Sequence, residues 1–116
     1  MRIIVISDTH QYYRNFETIV LRNPDADMFL HLGDGESEYQ LLCRNMPEVA
    51  DKFRYVKGNC DYSSDAPLTE LIDVAPNHRI LATHGHRYRV NSTLDYLEQE
   101  ALENGCDVAL YGHCLL

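Results

Sequence analysis

The stretch IIVISDTH, residues 3–10, decides the fold. Ile3, Ile4, Val5 and Ile6 are four consecutive β-branched residues, the pattern of a strand buried on both faces. The run breaks at Ser7-Asp8-Thr9-His10, which sets a carboxylate and an imidazole two residues apart just past the strand. Working outward, apolar strands alternate with amphipathic helices. Phe16, Ile19 and Val20 recur at helical spacing and Pro24 closes that helix. DMFLHL (27–32) reads as a second strand. Tyr39, Leu42, Cys43 and Met46 form one helical face ended by Pro47, and FRYVKG (53–58) is a third strand. Farther on, LTELIDV (68–74) and RILATH (79–84) flank Ala75-Pro76-Asn77-His78, which predicts a hairpin turn. A helix follows, with Ser92 as N-cap, Asp95 three residues on, Leu94, Leu97 and Ala101 on one face, and Gly105 as C-cap. DVALYG (107–112) is the last strand. A β-α-β-α-β opening, a hairpin and a further α-β unit make an α/β layered fold.

At 116 residues the chain is long enough for one core and too short for two, so residues 1–116 are read as a single domain. The longest apolar runs are four or five residues, too short to span a membrane, and the N-terminus enters a strand without a signal-peptide pattern. A cytoplasmic protein is expected. Cys43, Cys60, Cys106 and Cys114 show no C-x-x-C spacing and are read as free thiols, two of them in apolar settings. Net charge is −8, from 10 Lys and Arg against 18 Asp and Glu. That balance gives no general attraction for a phosphate backbone and excludes strong non-specific nucleic-acid binding. No Lys/Arg cluster or glycine-rich phosphate loop is present, so a phosphate ligand would need a bound cation.

In layered α/β folds, ligands sit beyond the carboxyl ends of the strands. The residues standing there are Asp8 and His10, then Asp34 in HLGDG, Asn59 in KGNCD, His84 in ATHGH and His113 in YGHC. Each side chain is a potential metal ligand, and oxygen and imidazole donors without a required thiolate suit Mn²⁺, Fe, Zn²⁺ or Ni²⁺. Each also has an ordinary reading. Asp8 can cap the first helix, Gly33-Asp34-Gly35 and Gly58-Asn59 are common turn pairs, and a lone histidine near a strand end is commonly a hydrogen-bonded core residue. Six such residues at successive strand ends are hard to assign to chance.

The ordered set D-x-H (Asp8, His10), G-D (Gly33, Asp34), G-N (Gly58, Asn59), H-G-H (His84 to His86) and G-H (Gly112, His113) resembles the calcineurin-like metallophosphoesterases. Within them it is most similar to the small prokaryotic phosphodiesterase branch, whose third motif is also G-N-C-D. The resemblance spans the whole chain and implies an α/β/β/α sandwich lacking the C-terminal closing strands. It also implies two divalent ions, Mn²⁺ foremost and Ni²⁺, Zn²⁺ or Fe as alternatives. Asp34 would bridge them, Asp8 and His10 would belong to the first, and Asn59, His84 and His113 would hold the second. A carboxylate between two cations about 3.5–4 Å apart screens their repulsion. The implied reaction is hydrolysis of a small phosphodiester or phosphomonoester by metal-bound hydroxide.

Two departures stand out. Many relatives carry histidine after G-N, where this chain has Cys60, read as a partly buried filler rather than a catalyst. The candidate catalytic residues are His86, as acid or electrostatic helper, then Cys60 and Asp61, the last orienting the Asn59 loop. The family also closes with G-H-x-H, where this chain has Leu115, which predicts weaker occupancy of the first metal. Missing closing strands would leave apolar surface along a sheet edge, so a homo-oligomer is expected. The alternative function is a phosphoesterase-like scaffold or binding module with degraded catalysis, as in the retromer subunit.

Overall fold

The computed structural model describes residues 2–9, 12–61, 65–74, 77–88 and 93–112. Among these residues two three-stranded sheets face one another across a shared core. In the first, β1 (Ile3–Ile6), β2 (Met28–His31) and β3 (Phe53–Tyr55) run parallel in that order. The connections carry α1 (Tyr13–Leu21), α2 (Glu36–Asn45) and α3 (Pro47–Ala50). In the second, β4 (Thr69–Val74) pairs antiparallel with β5 (His78–Thr83), which pairs parallel with β6 (Val108–Tyr111). The β5–β6 crossover carries α4 (Asp95–Glu103).

Period-two alternation sorts the apolar side chains into three clusters, not the one core expected from chain length, because each layer boundary buries its own face. On β2, Phe29 points with Ile6 and Phe53 into a core against α1 and α2, through Phe16, Val20 and Leu42. Leu30, its neighbour, points the other way, into a core shared with Leu32, Val56, Ile72, Ile80 and Ala82. That second core lies between the sheets. On β5, Leu81 alternates again and packs with Leu97 and Ala101 of α4. The order is therefore α/β/β/α, as the resemblance implies.

Several local expectations need correction. β1 is an edge strand of its sheet. Val5 is consequently 45% exposed, so this strand is not buried on both faces. In α1 the buried face is Phe16 and Val20, while Ile19 stays outside. Pro47 opens α3 rather than simply closing α2, which ends at Asn45; the fixed φ of proline suits a first helical position. His78 belongs to β5, paired with Val74, so the connection is shorter than predicted; Ala75 and Pro76 lie outside the described residues. Ser92 lies outside them as well, and the N-cap position of α4 falls on Leu94, which is exposed, rather than on Ser92; the buried face is Leu97 and Ala101. At the start of α4, Thr93 Oγ1 accepts the Asp95 N–H at 3.2 Å.

The far end of α4 terminates by a recognisable device. Gly105 takes φ +68°. Its N–H donates to the Leu102 carbonyl and that of Cys106 to the Ala101 carbonyl. These two bonds satisfy helix carbonyls that have no intrahelical partner, in the geometry that glycine adopts most cheaply. The cap proper is Asn104, one residue before the glycine.

Candidate metal centre

The three parallel strands of the first sheet end side by side, and the ends of β5 and β6 reach the same rim. β1 delivers Ser7-Asp8, β2 delivers Leu32-Gly33-Asp34, β3 leads into Gly58–Asp61, and β5 ends at His84. Backbone bonds hold these segments together: Asp8 N–H to the Gly33 carbonyl at 2.9 Å, and Gly112 N–H to the His84 carbonyl at 3.0 Å.

Asp8, Asp34 and His84 converge, with one ligand atom from each lying within 4.8 Å of the others. His84 Nε2 is 3.2 Å from Asp34 Oδ2 and 4.0 Å from Asp8 Oδ1. His84 is fully buried and its Nδ1–H donates to the Leu32 carbonyl at 2.7 Å. This outer bond fixes the ring and turns Nε2 towards the carboxylates. Asp34 is 3% exposed. Asp8 and Asp34 are the non-glycine residues at positive φ among those described, at +56° and +62°. Aspartate tolerates the left-handed region, yet it costs about 1 kcal/mol, and such residues collect at functional sites. Asp8 does not cap α1, whose first turn begins after Tyr12. Its Oδ2 accepts from the Ser7 hydroxyl instead.

The remaining candidates fall around this centre. Among the described residues Asn59 Oδ1 is buried with no hydrogen-bond partner, which is costly for an amide oxygen unless a ligand takes it up. Two carboxylates, an imidazole and such an oxygen form a donor set that fits a divalent cation. His86 opens a short 3₁₀ turn (His86–Tyr88), with its ring centroid 5.7 Å from that of His84. Cys60 is exposed, which corrects its reading as a partly buried filler. Partial desolvation and the carboxylates of Asp34, Asp61 and Asp8 push its thiol pKa up. Cys43 and Cys106 are also free thiols, half-buried. His10, His113, Cys114 and Leu115 lie outside the described residues.

Asp61 is buried and turned inward. Its Oδ2 accepts from Asp34 N–H at 3.0 Å, Gly58 N–H at 2.9 Å and the Tyr55 hydroxyl at 2.7 Å. Burial works to raise its pKa, but these donors together with the Glu36 N–H hold the carboxyl below the usual range. Sequence reasoning missed the residues behind this arrangement. Tyr55 and His31 read merely as strand positions, yet both are buried polar groups serving the rim. His31 Nδ1 accepts the Gly33 N–H and its Nε2 meets Thr9 Oγ1, both at 3.1 Å. The only available signal was chemical, a histidine and a tyrosine inside apolar strands.

Burial pushes the His31 pKa down to about 4, with Asp61 and Asp8 opposing the shift and His84 adding to it. Between about pH 6.5 and 4 the unfolded chain binds a proton that the folded one refuses. Stability therefore falls as pH drops through that window, by up to about 3 kcal/mol from this group, and levels off below it. Urea denaturation in EDTA at pH 7.5 and 4.5 should show the loss, and His31→Gln should shrink it. Equal losses in both proteins would refute the assignment.

A model of the calcineurin-like phosphoesterase superfamily domain matches residues 1–114. The chain belongs to that superfamily. A relative from Bacillus subtilis (strain 168), "Probable metallophosphoesterase YsnB", is 34% identical over 114 residues, covering 97% of this chain and 63% of its own length. The crystal structure of a conserved predicted phosphoesterase from Streptococcus pneumoniae TIGR4 superposes with TM-score 0.75 at 29% identity, covering 96% of this chain and 60% of that one. Vps29 from Entamoeba histolytica, complexed with zinc, shares the fold with TM-score 0.72 at 23% identity, covering 97% and 64%. This phosphoesterase-superfamily chain thus spans about three fifths of the length of these relatives.

Proposed function

We propose that the protein is a metal-dependent phosphoesterase hydrolysing small phosphodiesters or phosphomonoesters. The observation that carries this reading is the convergence of Asp8, Asp34 and His84 from two sheets into one 4.8 Å cluster. Divalent ions bound there, Mn²⁺ foremost, supply charge to neutralise the ester and to acidify water. Asp34, the more buried carboxylate, suits the position between two ions. Asp8 and His10 serve the first ion; Asn59, His84 and His113 serve the second. His86 stands beside His84, with ring centroids 5.7 Å apart, and is assigned the role of acid or electrostatic helper to the leaving oxygen. Cys60, exposed at the same rim, meets substrate as a thiol. Asp61 binds the N–H groups of Gly58 in its own loop and of Asp34 in the neighbouring one, and acts on geometry.

The free thiols among the described residues support a reducing, cytoplasmic setting. No helix among the described residues is long and apolar enough to cross a membrane. Val5, Val108 and Tyr111, exposed on the edge strands β1 and β6, support self-association. A scaffold with weak or no catalysis is the second reading, favoured by Cys60, since a thiol is a weak hydrogen-bond partner for a phosphoryl oxygen.

Metal-stripped protein given bis-p-nitrophenyl phosphate and Mn²⁺, Ni²⁺ or Zn²⁺ decides between them. Release of p-nitrophenolate that needs the ion and falls by about 10³-fold or more in Asp34→Asn supports the enzyme. Ion uptake without turnover supports the scaffold.

A further inference from the structure

We infer that Tyr55 is a positioning residue for the metal centre, its hydroxyl fixing the Asp61 carboxylate that holds Asp34 in its ligating pose. The inference rests on the reading of Asp8, Asp34 and His84 as metal ligands, and adds to it a residue outside every motif. Asp34 sits at φ +62°, a conformation that persists only where the surroundings over-determine it. Two bonds do so. Its N–H donates to Asp61 Oδ2 at 3.0 Å, and its Oδ1 accepts the Cys60 N–H at 2.8 Å. Both partners lie in the 58–61 segment, so the direction of Asp34 Oδ2, 3.2 Å from His84 Nε2, follows the placement of that segment.

Tyr55 ties the segment to the core. Its hydroxyl donates to Asp61 Oδ2 at 2.7 Å and accepts the Gly35 N–H at 3.0 Å. One oxygen atom thereby grips the residue after Asp34 directly and Asp34 itself through Asp61. The oxygen cannot wander, because the ring is 6% exposed and lies 4.7 Å, centroid to centroid, from both Tyr39 and His31. Tyr55→Phe keeps that packing and deletes the oxygen alone. The Gly35 N–H and one donor bond to Asp61 are then lost among buried groups.

Calorimetric titration of Mn²⁺ into metal-stripped protein, well below the melting temperature, reads the effect. Tyr55→Phe should bind about 10–100-fold more weakly than wild type, the range expected when an outer hydrogen bond to a ligand is removed. A merely structural tyrosine would lower the melting temperature without moving the affinity of the folded protein. Wild-type affinity in folded Tyr55→Phe overturns the inference and leaves the metal reading intact. No Mn²⁺ uptake by wild type overturns both. If Tyr55→Phe does not fold, Asp61→Asn, which keeps shape but weakens the same hub, must show the loss of affinity for the inference to stand.

Discussion

Mn²⁺ at a hundredfold excess over its dissociation constant should raise the melting temperature of the metal-stripped protein by on the order of 10 °C. An ion that binds only the folded state at that excess stabilises it by about 2.7 kcal/mol, and a domain of this size gains several degrees per kcal/mol. The folded state is the one that can bind, because Asp8, Asp34 and His84 come from residues 26 and 50 positions apart in sequence and meet only when the sheets are assembled. Asp34→Asn should abolish most of the rise. Its side-chain oxygen still accepts the Cys60 N–H, so the metal-free protein should melt close to wild type. A shift of equal size in Asp34→Asn, or none in wild type, would remove the metal centre from the molecule. Differential scanning fluorimetry with EDTA as the reference is sufficient.

The second large effect is expected from a single methyl group. A Cβ at Gly58 would lie 2.1 Å from Asp34 Oδ1 and 2.5 Å from Asp34 N. Backbone nitrogen cannot swing aside as a side-chain tip can, so the 58–61 segment and Asp34 must separate. Overpacking of this kind costs about 1–3 kcal/mol, and here the displaced group is the central carboxylate. Gly58→Ala should therefore melt earlier and lose the Mn²⁺-induced stabilisation together. Gly105→Ala provides the contrast. It meets nothing within 4 Å but sits at φ +68°, so it should cost about 1 kcal/mol through backbone strain and leave the metal response unchanged. If Gly58→Ala retains the full Mn²⁺ response, the close approach of the two loops is not what sets the site.

Element type and order were legible because the apolar periodicity is strong. Phe29 and Leu30, or Leu81 and Ala82, show in adjacent letters the alternation that separates one core from the next. The rim carboxylates and His84 were legible for a different reason, since polar residues following apolar strands have few other uses. Exposure of Val5 was not, because isoleucine and valine read alike at the edge and the centre of a sheet. The supporting groups were illegible on physical grounds. Tyr55 and His31 fit strand positions by size and shape, and only their hydrogen bonds to Gly35, Asp61 and Gly33 reveal that they serve the loops. Nor does sequence announce the left-handed backbone at Asp8 and Asp34, which arises from how neighbouring turns abut.

His84 stands on the second sheet, while the carboxylates it meets and the Leu32 carbonyl it grips stand on the first. The centre is thus a seam. Any glide of one layer over the other, through a substitution at Ile72 or Ile80 in the core between the sheets, would pull the seam apart before either sheet unravels. A cation seated there would work as a rivet, and its affinity would report how well the two halves are aligned.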